Sequence, residues 1–243
     1  MIALTLWEMR WRLLAVVLIA LILYLLEPGF HLHGADTEGL DPLIADPRGV
    51  AFTLANLAGA SMLVLLTGFV SGDRRRGYYR MFFSHPTRPL AYYGLRWLIA
   101  YAVSVGAAGL FLVVGQLAAW GELRAGIEVM VHPALFALVY GGLAAFFSVL
   151  VPIGDTFIVF VIFMLTSAWE YALSAFAELN VNPVAPWLQQ AISFILPPHL
   201  ALRDQFEAML AGHTAWGDLA FAAGYGGFWL VAAGLLLWSR EWP

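Results

Sequence analysis

Residues 71–97 read SGDRRRGYYRMFFSHPTRPLAYYGLRW, and they hold half of the basic residues in the chain: Arg74, Arg75, Arg76, Arg80, Arg88 and Arg96 out of twelve. Uncharged runs flank the stretch on both sides, at 49–72 and 97–121. Each is longer than the roughly 20 residues that cross a bilayer core of about 30 Å. The stretch therefore reads as a loop between two membrane spans. Because short loops rich in Arg stay on the cytoplasmic side, the cluster sets the sidedness of everything else.

The composition agrees. Of 243 residues, 62% are hydrophobic and 12% charged, with a mean hydropathy of +0.80, whereas soluble domains carry roughly 25% charged residues. The expected fold class is an all-α polytopic membrane protein. The absence of Cys excludes disulfides and thiolate sites. All twelve basic residues are Arg, and with no Lys a Walker A phosphate loop cannot form. The chain is therefore expected to be no enzyme, with no ATPase site, no bound cofactor and no nucleic-acid partner. No cleavable signal is expected, since the first apolar run ends in Glu27-Pro28-Gly29 without a small-residue cleavage site.

Six spans are expected, at about 11–26, 49–72, 97–121, 129–151, 156–177 and 219–239, forming one transmembrane domain over residues 1–243. Residues 1–12 (MIALTLWEMRWR) place Leu4, Trp7 and Trp11 at near-helical spacing and predict an interfacial helix. Residues 27–48 are acidic and read as an external loop. The segment 179–212 carries Pro183, Pro186, Pro197 and Pro198. A lipid-exposed helix so interrupted would leave backbone groups unpaired at several kcal/mol each, so an external re-entrant or amphipathic segment is expected there. With both termini cytoplasmic, nine Arg fall inside (Arg10, Arg12, Arg240 and the six of the loop) and three outside (Arg48, Arg124 and Arg203). A seventh span would leave that tally unchanged, and the prolines decide against it.

Few residues suggest chemistry. A rhomboid-like serine site fails because Gly59-Ala60-Ser61-Met62-Leu63 lacks its second Gly, and no His lies near a span centre for haem. His31 and His33 beside Asp36 and Glu38 are a weak metal signal in a loop, and no metal site is expected. Glu170 is the only acid well inside an expected span. Intramembrane carboxylates usually face a bundle interior or cavity, so Glu170 reads as a pathway group or, given Trp169 and Tyr171 beside it, as an interfacial carboxylate. Asn56 and Gln116 read likewise, as a polar route or as interhelical hydrogen bonds.

The loop between spans two and three, 73–96, has more pattern than sidedness needs. Residues 73–83 predict a helix carrying the aromatics Tyr78, Tyr79, Phe82 and Phe83, stopped by His85-Pro86. Asp73-Arg74-Arg75-Arg76-Gly77, then Ser84-His85-Pro86-Thr87-Arg88, then Tyr92 and Gly94-Leu95-Arg96 resembles the series that follows the second span in type 2 ABC transporter permeases. Asp73 stands where that family usually has Glu, and Arg96 where it often has Lys. The resemblance implies a permease subunit of an exporter in a bacterial or archaeal plasma membrane. It also implies a separate ATP-binding subunit that holds ATP and Mg, and a second permease copy or paralogue. By it, Asp73, Arg74, Arg75, Arg76, Gly77, Tyr78, Tyr79, Phe82, Phe83, Pro86 and Arg88 form the coupling region. The alternative is a non-transporting membrane anchor or assembly subunit that holds a partner through the same loop.

Overall fold

The computed structural model describes residues 2–26, 47–77, 88–123, 126–178 and 185–239. Its elements are α1 (Ile2–Leu26), α2 (Pro47–Leu66), α3 (Ser71–Arg75), α4 (Pro89–Trp120), a 3-10 turn (Ile127–Met130), α5 (Val131–Leu150), α6 (Asp155–Glu178), α7 (Pro186–Ile195), α8 (His199–Leu210) and α9 (Trp216–Ser239). No strand occurs among the described residues. Six of the helices are long and apolar enough to cross a membrane, as a multi-pass membrane protein requires.

Helix bounds differ from the sequence expectation in three places. The expected interfacial helix is not separate: α1 runs from Ile2 through Leu26, because no Gly or Pro interrupts those residues. Span three begins at Pro89 rather than near 97, since Pro at the first helical position lacks only an N–H that would be unpaired anyway. Arg96 is thus inside a helix. Finally, the expected helix over 73–83 does not continue from its start. Helix α3 closes at Arg75, and Gly77 follows at φ +71°, a left-handed conformation that ends a right-handed helix. Residues 78–87 lie outside the described residues, as do 27–46 and 179–184.

Helix α5 is the central element. It is buried on nearly every face and packs against α2, α9, α6 and α4, the behaviour of a helix that is hydrophobic all round. By contrast α1, α6 and α9 present Leu18, Leu21, Phe157, Leu165, Phe228 and Leu235 outward, as lipid-facing helices do. Helices α7 and α8 lie between the last two spans, and the α8 side packs on α5 and α9.

The α5–α9 contact depends on two glycines. A Cβ on Gly142 would overlap the Gly226 carbonyl oxygen, and one on Gly226 would sit 2.9 Å from the Leu138 backbone and side chain. Small residues at such crossings let helix backbones approach closely where the bilayer supplies no hydrophobic drive. Gly227, one position on, meets nothing within 4 Å of its Cβ direction. Gly142→Ala should therefore destabilise the chain by about 1–3 kcal/mol, while Gly227→Ala should be neutral or slightly stabilising. Thermal unfolding of both variants in one detergent checks this; equal midpoints would mean that the helices do not cross here.

Candidate functional site

Where α2 ends, its chain does not enter solvent but folds into a buried polar knot. The backbone N–H groups of Val70 and Ser71 donate to Ser148 Oγ on α5, at 2.9 and 3.2 Å. The Ser71 hydroxyl donates to Asp155 Oδ2 at the start of α6, at 2.9 Å. Asp73 Oδ2 accepts from Arg96 Nη1 at 2.8 Å and from the Tyr93 hydroxyl at 3.3 Å, both on α4. The Asp73 and Arg96 side chains are 12% and 5% exposed, so this is a desolvated ion pair rather than a surface one.

The same end satisfies helix termini. Helix C-termini leave carbonyls without intrahelical donors and carry partial negative charge. Arg12 Nη1 donates to Leu65 O in the last turn of α2 at 2.7 Å, and Arg74 Nη1 donates to Val149 O in the last turn of α5 at 3.0 Å. Arg96 Nη1 also reaches Phe69 O at 3.3 Å. The short segment 69–74 is thereby tied to the end of α2 and to α4, α5 and α6, while α1 is tied to α2 through Arg12.

The residues expected to face a partner divide accordingly. Asp73 is buried and Arg74 half-buried, both engaged within the bundle. Arg75, Arg76, Gly77 and Arg88 are exposed. Tyr78, Tyr79, Phe82, Phe83 and Pro86 lie outside the described residues.

A cavity of about 420 Å³ lies toward the other ends of the same helices. Glu170 reaches it from α6, fifteen residues beyond Asp155 and so about 22 Å along the helix. His132 and Phe136 reach it from the first turns of α5, Asn56 from α2, and His199 from the first turn of α8. His132 and Leu202 are buried at its floor, whereas Asn56, Tyr171 and Arg203 are exposed at its rim.

Its polar centre is a chain of three side chains. His199 Nδ1 lies 3.3 Å from Glu170 Oε2, and its Nε2 is in hydrogen-bond contact with the Tyr140 hydroxyl. A neutral ring satisfies both: Nδ1–H donates to the carboxylate and Nε2 accepts the Tyr140 O–H. The imidazole is held flat by aromatic neighbours, stacking on Phe136 at 5.3 Å with Phe163 at 5.9 Å. His132 Nδ1 lies 3.1 Å from Leu202 O, a carbonyl that can only accept, so that nitrogen carries the proton. Glu170 and His199 also wall a second cavity of about 220 Å³ against α9, and so stand between the two.

Of the residues singled out in the sequence, Glu170 and Asn56 meet at this cavity, and Gln116 does not, being buried elsewhere on α4. His199 falls in the sequence within the segment expected to lie outside the membrane, and nothing in the sequence singles out Tyr140. Pro197-Pro198 before His199 is the one local signal, since it starts α8 with His199 in the first turn. Among the described residues no group of three or more His, Asp or Glu is arranged to hold a metal ion. Comparison with protein families, with characterised proteins and with solved structures finds no match.

The knot makes a quantitative prediction. Removing one partner of a buried pair strands the other charge and costs about 3–5 kcal/mol, while replacing both with apolar groups is often near neutral. Asp73→Leu and Arg96→Met should each lower the unfolding midpoint markedly, and the double variant should recover much of the loss. Additive losses in that double-mutant cycle would show that the two side chains do not interact.

Proposed function

We propose that this chain is the membrane-embedded permease subunit of an ATP-driven transporter of the type 2 ABC kind, working as an exporter. It has no nucleotide site of its own: a separate subunit binds and hydrolyses ATP with Mg, and two permease copies, or this chain and a paralogue, line the pathway. The supporting sequence features are the six spans, the segregation of Arg and the acid–Arg–Gly and Ser-x-Pro-x-Arg series. Both termini are then cytoplasmic, α7 and α8 form an external re-entrant segment, and the membrane is a bacterial or archaeal plasma membrane.

The observation that carries this reading is the buried knot around Asp73 and Arg96. A subunit driven from outside the membrane needs the driven loop fixed rigidly to its spans. Here residues 69–74, where α2 passes into the loop, are hydrogen-bonded to three further spans, α4, α5 and α6. Slippage would leave buried donors and acceptors unpaired at about 1–3 kcal/mol each, so the cheaper response to a push on 76–88 is movement of the helix ends together. The cavity at Glu170 favours transport over a simple anchor, which has no use for a half-buried carboxylate between two cavities.

Two experiments test the reading. Reporter fusions after Arg76 and after Pro243 should both be cytoplasmic, and a fusion at Glu207 external; an external C-terminus contradicts the six-span arrangement. Affinity purification from native membranes should recover an ATP-binding subunit. Burying an aromatic side chain in a partner contributes about 2 kcal/mol, against less than about 1 kcal/mol for an exposed Arg pair. Tyr78→Ala, Tyr79→Ala, Phe82→Ala or Phe83→Ala should therefore weaken that recovery and uncouple ATP hydrolysis at one or more positions. Full recovery and coupling in all four variants would leave the loop with a topological role alone.

A further inference from the structure

We propose that the cavity between α2, α5, α6 and α8 binds an organic ammonium, a protonated or quaternary amine carried on an apolar body. As a statement of substrate class this rests on the transport reading, whereas the binding itself does not.

The charge inside the cavity favours a cation. Four titratable side chains of clear charge potential line it: Glu170 from α6, His132 from α5, and His199 and Arg203 from α8. Arg203 is at the rim, half-exposed, with its Nε 3.7 Å from Asp204 and 3.9 Å from Glu207 on its own helix. Its charge is already countered. His132 is buried at the floor with its Nδ1 on the Leu202 carbonyl, and His199 has both ring nitrogens engaged, one on Glu170 and one on Tyr140. What remains is the Glu170 carboxylate, whose Oε1 has no hydrogen-bond partner among the described residues. A partly desolvated carboxylate with an unmatched oxygen attracts a cation.

The walls decide which cation. A hard metal ion needs several oxygen ligands, and no such group is assembled among the described residues. The wall beside Glu170 is aromatic instead: Phe163 and Tyr171 line the cavity with it, and Phe136, stacked on His199 at 5.3 Å, backs them. Ring faces carry negative quadrupole potential and attract ammonium groups, most strongly where water is excluded. Ser167 and Asn56 add two neutral polar groups for a substituent on the ligand. The volume of about 420 Å³ lies in the range of small-molecule sites, and Leu200 and Leu202 supply apolar surface for the body of the ligand.

The test uses the full purified chain in lipid nanodiscs, with neither ATP nor a partner, so its failure is separate from any failure of the transport reading. Three probes of like shape are titrated by calorimetry: benzyltrimethylammonium, its uncharged isostere neopentylbenzene, and benzylphosphonate. The ammonium should bind at least about tenfold more tightly than either. Glu170→Gln should weaken it by about tenfold or more, the size of a lost charge-assisted contact, without affecting the neutral isostere. Phe163→Leu, which keeps the wall apolar, should weaken the ammonium by about two- to fivefold, and it remains informative if Glu170→Gln folds poorly. The proposal is overturned by no ammonium binding at millimolar concentration, by equal affinity for the isostere, by tighter binding of the phosphonate, or by ammonium affinity unchanged in both variants.

Discussion

The ion pair between Asp73 and Arg96 is the constraint on which the rest of this structure depends. Each group is expensive to bury alone, and neither can leave without stranding the other. Arg96 has no freedom to face water because it lies two turns inside α4, and Asp73 is held in place by the hydrogen bonds of α3 to α5 and α6. The pair fixes the angle at which the chain leaves α2, and so the position of the Arg-rich segment relative to the bundle. An apolar contact at this place would allow sliding, whereas hydrogen bonds between defined atoms do not.

Helix α5 joins the knot to the cavity. Its last turn supplies Ser148 and the Val149 carbonyl to the knot, and its first turns supply His132 and Phe136 to the cavity. Helix α6 repeats that arrangement with Asp155 and Glu170. Both are uninterrupted helices, so the knot and the cavity wall are parts of the same two rigid elements. Close packing at Gly142 and Gly226 couples α5 to α9, because interdigitated backbones have no room to move independently.

Much of this was legible in the sequence, for identifiable reasons. Hydropathy runs and the Arg cluster give the six spans because the bilayer imposes length and charge rules on any chain. Pro186 and Pro197-Pro198 give the interrupted segment between the last spans, since proline removes backbone donors. Glu170 stands out because a carboxylate in an apolar helix is rare. The pairings were not legible. Asp73 and Arg96 read as two members of the loop 73–96: Pro89 suits the start of a helix, but nothing local shows that Arg96 then turns inward onto Asp73. His199 and Tyr140 are 59 residues apart, and no periodicity links side chains from separate helices. The break at Gly77 was missed for the opposite reason: the apolar and basic spacing around it suits a helix, and a single left-handed residue overrides that pattern.

The central claim is that the knot transmits movement of the Arg-rich end to the cavity at Glu170. The chain has no Cys, so Ser167→Cys places a single thiol on the cavity wall, and its alkylation by a water-soluble maleimide reports access to that wall. In complex with the ATP-binding partner, addition of a non-hydrolysable nucleotide should change the alkylation rate severalfold, and Asp73→Asn should abolish that response while leaving nucleotide binding intact. A rate in the parent that is the same with and without nucleotide would contradict the account.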